Sequence, residues 1–309
     1  MPNNAFQIAS RLYFSQQGKE RTSRPAVRVA LAGIIVGVVV MILTICMVVG
    51  FKQTITQKVA GFGAYIQVVS FDNNNTYDLQ PIEVSDSLLT QLGSYEHVVA
   101  TAPFITKPGM LKTDTDFKGI VLKGTDYWDF FARNIQEGAL PAKPQEVLIS
   151  RVVANRLELH VGDAIMGYFV DESDVRARRF SISGIYDTGF LQFDDLFVLT
   201  PLETARRLQS WNLNTYSGVE ILLDDIKNLN ETSDEIYFAV VNKLDENGYK
   251  AYFVETLQDQ NPAIFAWLDL LDMNVVVIIV LMLLVAGFNI VSGLIILILD
   301  GIQLIGTLK

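Results

Sequence analysis

Two stretches of this 309-residue chain run for more than twenty residues without a charge, and they constrain everything else in it. Between Val29 and Phe51 the one hydroxyl is Thr44, and the first charge is Lys52. Between Val275 and Leu299 the polar side chains are Asn289 and Ser292. At 1.5 Å of rise per residue, about 20 helical residues cross a hydrocarbon core of roughly 30 Å, and both stretches reach that length. A core helix of a soluble domain rarely runs so far without a charge. A cleaved leader has an apolar region of about 7–15 residues close to the start. Here 28 residues precede Val29, and no small-residue cleavage pattern follows. The expectation is a membrane protein with two retained spanning helices, residues 29–51 and 274–299. The hydrophobic share of 50% would not decide this, because soluble domains come close to it.

The flanks set the orientation. Lys19, Arg21, Arg24 and Arg28 crowd the start of the first run against one acid, Glu20, whereas only Lys52 and Lys58 follow it closely. The second run is approached past Asp269 and Asp272, with no Lys or Arg between Ala251 and Met273. Basic residues are retained on the cytoplasmic side, so both termini are expected there and the long intervening segment outside. Residues 29–299 carry 18 basic and 32 acidic side chains, a net charge of −14, which excludes non-specific nucleic-acid binding. The single cysteine, Cys46, lies within the first run, so the outer segment must hold its core without disulfides.

Periodicity divides the outer segment. Residues 1–28 read as a cytoplasmic segment that is amphipathic (Ala5, Ile8, Ala9, Leu12) and then basic. Residues 52–62 continue the first helix outward as a stalk. Tyr65–Phe71 alternates like a strand, Ser85 caps a helix to Leu92 ended by Gly93, and Val98–Ala102 is a strand. The order recurs with a strand at Val219–Leu223, a helix from Asn230 to Glu246 closed by Asn247-Gly248, and a strand at Tyr249–Val254. These two βαβ-like pieces predict one α+β subdomain assembled from residues 63–112 and 212–255, inside an extracytoplasmic domain of 63–255. Residues 113–211 read as a β-rich insertion with strands at Phe117–Leu122, Ala164–Val170, Arg179–Ile185 and Asp195–Leu199. Ser150 begins a helix to Leu157. Thr200, with Pro201 and Glu203, has the form of a capping box opening another. Asp171, Glu172, Ser173, Asp174 and Val175 read as an exposed hairpin tip. Residues 256–273 form a second stalk, helical apart from Pro262.

Chemistry is harder to find. The chain has no GxxxxGK[ST] phosphate loop. Its two histidines, His97 and His160, have no Glu-x-x-His partner, so no zinc hydrolase site is expected and His97 reads as a surface residue. The acid pairs Asp194-Asp195 and Asp224-Asp225 lack an oxygen-rich loop at calcium-binding spacing, and no Gly-x-Ser-x-Gly elbow occurs. No enzyme and no cofactor are expected. Within the second span, Gly287 and Gly293 are small enough for close helix contact, and Asn289 is placed for a hydrogen bond to a partner helix.

Several motifs carry a resemblance. Val48-Val49-Gly50-Phe51 followed by Gly61-Phe62-Gly63-Ala64-Tyr65-Ile66-Gln67-Val68 resembles the first span, stalk and opening strand of the LolC/LolE lipoprotein-releasing ABC permeases, more distantly related to MacB and FtsX. Glu146-Val147-Leu148-Ile149-Ser150, Val161-Gly162-Asp163 and Ser183-Gly184-Ile185-Tyr186-Asp187-Thr188-Gly189 resemble that family's β-rich periplasmic subdomain. The end of the chain, Ile302, Gln303, Leu304, Ile305, Gly306, Thr307, Leu308 and Lys309, is similar to its cytoplasmic coupling helix, with 300–309 as its start. The resemblance implies a permease in the bacterial inner membrane whose ATPase activity resides in a separate cytoplasmic subunit. Its implied partners are that ABC ATPase, a second permease copy or paralogue, membrane lipid, a lipoprotein and a periplasmic carrier touching Asp171–Val175. The family has four spans, so the resemblance also implies a chain truncated after the second. One family subtype carries a long proline-containing hook where Tyr168–Arg179 here is short and proline-free. Alternatives that stay open are MacB-like efflux, FtsX-like signalling, a two-span sensor receptor and a membrane-anchored enzyme.

Overall fold

The structure, a computed structural model, describes residues 23–71, 78–171, 174–243 and 251–306. The amphipathic segment expected near the start, Glu172, Ser173, the helix closure at Asn247-Gly248, the strand start at Tyr249, and Thr307, Leu308 and Lys309 lie outside the described residues. The chain divides into two compact units, one of residues up to Lys52 and from Trp267 onward, the other Gln53–Ala266.

The elements run α1 (Ser23–Gly63), β1 (Ile66–Ser70), β2 (Ile82–Glu83), α2 (Asp86–Gly93), β3 (Val98–Lys112), β4 (Phe117–Thr125), α3 (Asp129–Ala132), β5 (Ile135–Gly138), β6 (Glu146–Ser150) and α4 (Arg151–Leu157). They continue with β7 (Ala164–Asp171), β8 (Asp174–Tyr186), α5 (Leu191–Asp194), β9 (Phe197–Pro201), α6 (Leu202–Gln209), β10 (Thr215–Tyr216), β11 (Gly218–Leu223), α7 (Leu229–Val240), β12 (Tyr252–Thr256), α8 (Leu257–Gln260) and α9 (Pro262–Gly306).

In the first unit, α1 and α9 each contain a stretch long and apolar enough to cross a membrane. Nearly all their large apolar side chains there are exposed. The partly covered positions are regular. They are Ile34, Gly37, Met41, Thr44, Val48 and Lys52 on α1, and Leu271, Val275, Ile279, Met282, Ala286, Asn289 and Gly293 on α9, after a buried Leu268. Steps of three and four residues draw one stripe along each helix, the pattern of a two-helix seam. Contacts mark its two ends. A Cβ built at Gly33 would lie 3.7 Å from Nδ2 of Asn289. Lys52 Nζ donates to Asp272 at 2.5 Å, with Asp269 3.8 Å away, and the Phe51 and Trp267 rings meet edge to face at 5.7 Å.

In the second unit the two βαβ pieces interlock. β1 and β3 both pair antiparallel with β11 between them, and β11 and β12 both pair antiparallel with β1 between them. The order β12-β1-β11-β3 is the split βαββαβ arrangement. Alternate residues Ile66, Val68, Val219, Ile221 and Val254 face α2 and α7, where Leu88, Leu92, Ile236 and Val240 complete a core. Ser85 caps α2 by accepting from the Leu88 amide, as expected, whereas α7 ends at Val240.

The β-rich segment forms a ring. β3 pairs with β4, β4 with β9, β9 with β6, β6 with β8, β8 with β7, and β7 returns to β3. Ile120, Leu122, Val147, Ile149, Ile165, Phe180, Ile182 and Val198 are among the buried residues of the ring's core, and closure leaves no edge within it. β3 belongs to both halves. Val98–Phe104 pair with β11 and Phe104–Lys112 with β4, so the change of partners lies within β3 and one ten-stranded sheet joins the two halves.

Two other expectations change. No capping box opens α6: Thr200 Oγ1 donates to the Glu146 carbonyl, Glu203 pairs with Arg206 and Arg207, and Asp126 Oδ1 accepts from the Leu202 amide. The second stalk is interrupted, because α8 closes after one turn and α9 begins at Pro262.

Gly124, at the end of β4, faces α6 so closely that a Cβ there would collide with the Ala205 methyl and lie 3.3 Å from Leu202 Cα. Backbone cannot yield as a side-chain tip can. Gly124→Ala is expected to destabilise the domain by about 1–3 kcal/mol, measured as a lowered thermal midpoint of the purified protein.

Candidate functional site

Strand alternation decides which side chains meet α1. On β4, β6 and β9, the neighbours of the ring-core residues are Val121, Leu148, Phe197 and Leu199, and they point to the ring's outer face. On β1 and β11, Gln67 and Glu220 point away from the helix-covered face for the same reason. The last turns of α1 lie where these two surfaces adjoin.

The apolar part of the site centres on Phe62, which is 2% exposed. Its ring lies 5.0 Å from Phe193, 5.4 Å from Phe131, 5.6 Å from Phe130 and Phe197, and 6.2 Å from Tyr186. Val59, Ala60 and Leu257 are buried with it, and Ile264 and Phe265 pack against the group. Residues from the end of α1 and from the α8–α9 turn thus share one core. The backbone repeats this: β1 pairs with β12, Ile66 opposite Thr256, and the Leu257 amide donates to the Tyr65 carbonyl at 2.8 Å.

The loop after β8 holds the aromatic rings in place. Tyr186 is fully buried, its hydroxyl donates to the Phe197 carbonyl at 2.9 Å, and burial raises its pKa well above the usual tyrosine value. Asp194 accepts from Thr188 Oγ1 at 2.7 Å and from the Thr188 and Phe190 amides at 3.2 and 3.3 Å. Burial raises the Asp194 pKa despite these donors. Ser150, the N-cap of α4, also donates to the Asp194 carbonyl. Gly189 turns the loop with φ +65°, and its amide donates to Asp187 Oδ1 at 2.9 Å.

The polar part of the site lies at the C-terminus of α1, where helical carbonyls lack intrahelical partners and carry the negative end of the dipole. Lys123 Nζ from β4 donates to the Phe62 carbonyl and, at 2.5 Å, to Glu220 Oε1 from β11. Gln67 Nε2 from β1 donates to the Gly63 carbonyl at 3.0 Å and to the same Glu220 oxygen at 3.1 Å. Lys123 and Glu220 are 3% and 6% exposed. Burial pushes the Glu220 carboxyl up, opposed by Lys123 and Gln67. The next residue, Ala64, has φ +57°.

The residues singled out from sequence are scattered by comparison. Asp171 and Asp174 pair at the end of the β7–β8 hairpin, and Val175 is exposed beside them. Near the hairpin a crevice of about 880 Å³ is lined by Lys107, Met110, Tyr168, Val170, Val175 and Trp211. Asn289 and Gly293 lie on the partly covered stripe of α9 and Gly287 does not, and a Cβ at either glycine would meet nothing within 4 Å. Ile302, Gln303, Leu304, Ile305 and Gly306 continue α9 without a break. His97 pairs with Asp224 at 3.0 Å, and that hydrogen bond raises its pKa. Among the described residues no group of acids, His or Cys is arranged to hold a metal. Lys123 and Glu220 belong to no motif read from sequence, Gln67 enters only within the motif Gly61–Val68, and the one signal for all three as a site is polarity at alternate positions of otherwise apolar strands.

An α+β domain closed by a β-ring and rooted on two apolar helices defines a class of extracytoplasmic domain. Residues 29–237 match the family described as MacB-like periplasmic core domain, more than half of the chain, and the chain belongs to that family. The "Lipoprotein-releasing system transmembrane protein LolC" of Neisseria meningitidis serogroup B is 22% identical over 283 residues, covering 86% of this chain and 64% of that protein. The LolC protein of Xylella fastidiosa strain 9a5c is 21% identical over 287 residues, covering 88% and 65%. The chain thus spans just under two thirds of the length of these curated relatives. The crystal structure of the periplasmic region of MacB from Actinobacillus actinomycetemcomitans aligns with a TM-score of 0.42 at 14% identity, covering 64% of this chain and 91% of that one. The resemblance to the LolC and MacB group read from the sequence motifs is borne out.

Phe62→Ala removes the ring around which the aromatic group is built. It is expected to cost about 3–5 kcal/mol, read as loss of folded protein or a large drop in thermal midpoint. A midpoint unchanged within error would show that the aromatic group does not hold α1.

Proposed function

We propose that the chain is the permease subunit of an ABC transporter in the bacterial inner membrane, and that it releases lipoproteins from that membrane. A cytoplasmic ATPase supplies the energy, and a second copy or a paralogue completes the transmembrane part. The observation that carries this reading is that the ends of both long helices share one core, around Phe62 and Leu257, and lead into the adjacent strands β1 and β12. Such an arrangement suits a device in which movement of helices changes the shape of a domain outside. Similarity to LolC along 86% of the chain supports lipoprotein as the cargo class. The chain's side of the reaction is mechanical: it binds no nucleotide, and the chemistry of ATP hydrolysis belongs to the partner.

The topology and the partner are each open to test. With Cys46→Ser as background, Leu213→Cys puts a thiol at a position 73% exposed in the second unit. It is expected to react with a membrane-impermeant maleimide in intact spheroplasts, and labelling only after lysis would sink the assignment of this unit to the outer side. Tagged complete protein is expected to bring down an ABC ATPase, and Ile305→Asp with Leu308→Asp is expected to abolish the association. Undiminished co-purification in that double variant would remove the C-terminal segment from the ATPase contact.

A further inference from the structure

We propose that Lys123, Glu220 and Gln67 form a charged joint that obliges the last turn of α1 to move as one body with β1, β4 and β11, and so delivers helix displacement to the sheet. This rests on the permease reading above, and it adds the element that fixes how the helix engages the domain.

Packing around Phe62 holds the helix end through close contact and ring geometry, but it supplies no donor to the terminal carbonyls of α1. Hydrogen bonds are different, because they weaken steeply once distance or angle departs from a narrow range. Here the two terminal carbonyls of α1, Phe62 and Gly63, are each held by a side chain from a different strand. Both donors meet on one oxygen of Glu220, from a third strand. Strand β11 lies between β1 and β3, and β3 pairs with β4, so the three residues straddle the junction of the interlocked sheet and the ring. The Lys123 ammonium also lies 5.5 Å from the Phe104 ring centre, which closes its remaining side.

The cost of the arrangement points the same way. Replacing a buried ion pair by apolar residues of similar size is often neutral or stabilising, whereas removing one partner is strongly destabilising. The attraction between the two charges therefore adds little net stability, whereas Lys123 also supplies the donor to the buried Phe62 carbonyl, and together the contacts fix one registration. The left-handed backbone of Ala64 fits this. A residue bearing a Cβ resists that conformation and keeps it only where the surroundings determine it.

The test uses the complete transporter with its ATPase in proteoliposomes carrying a lipid-anchored reporter protein. Lys123→Met combined with Glu220→Met removes both charges together. Lys123→Gln combined with Glu220→Gln is a second variant that retains hydrogen-bonding groups. The two readouts are hydrogen exchange at the amides of residues 60–64 and reporter released per ATP hydrolysed. The expected result for the Met pair is a folded protein with a lowered thermal midpoint, because the Phe62 carbonyl loses its donor, with exchange at the end of α1 faster by about tenfold and release per ATP lower by about tenfold. The Gln pair is expected to fall between, and Lys123→Arg to keep most of both. Wild-type exchange in the Met pair would overturn the joint. Faster exchange with unchanged release per ATP would overturn its role in transmission. A wild-type complex that releases no reporter would instead count against the lipoprotein reading, and the exchange comparison would still decide whether the joint exists.

Discussion

The C-terminus of a long apolar helix is an awkward object to bury. Its final carbonyls have lost their intrahelical donors, and they carry partial negative charge into a region the chain otherwise fills with phenylalanine. The solution here is one ammonium group, Lys123, balanced by one carboxylate, Glu220, with Gln67 completing the set. Much of the domain follows from accommodating that group. Strand alternation must bring the three residues to one face, and the aromatic rings must exclude water from it. The loop at 187–194 must hold Phe190 and Phe193 against it, which Asp194 does by accepting from Thr188 and Phe190.

Two kinds of cohesion divide the labour. The apolar group around Phe62 and Leu257 binds the end of α1 and the α8–α9 turn to the domain through buried area and ring contacts. In the first unit a stripe of partly covered side chains runs along each of α1 and α9, with Asn289 near Gly33 toward one end and Lys52 paired with Asp272, and Asp269 3.8 Å away, at the other. A lipid environment gives helices no hydrophobic reason to associate, so close packing and a few polar groups have to supply the preference.

Sequence reasoning reached the local features and stopped where pairing became long-range. The two spans, the caps at Ser85 and Ser150, and the β7–β8 hairpin are written in runs and periods of fewer than thirty residues. β3 was legible only from Val98 to Ala102, because Pro103 and Pro108 read as breaks. In the fold Pro103 sits opposite Val219 and Pro108 opposite Val121, and the strand runs on to Lys112. Ring closure depends on β7 returning to β3 across more than fifty residues, which no local pattern specifies. Thr200 with Glu203 had the form of a capping box, yet Arg206 and Arg207 compete for the acid and the Glu146 carbonyl takes the hydroxyl. Lys123 and Glu220 were invisible for a simpler reason: a charge between apolar neighbours in a strand normally faces water.

The position of β12 has a consequence for biosynthesis. β1 lies between β11 and β12, and its outer hydrogen bonds are made only with Tyr252–Thr256. Ile66–Ser70 is made early, and nearly two hundred further residues follow before that strand acquires its last neighbour. The same ladder is completed just ahead of Pro262, where the second long helix begins. Pairings so distant in sequence are slow to form. The sheet therefore cannot be completed until nearly all of the second unit has been made, which leaves β1 with one open side through most of synthesis.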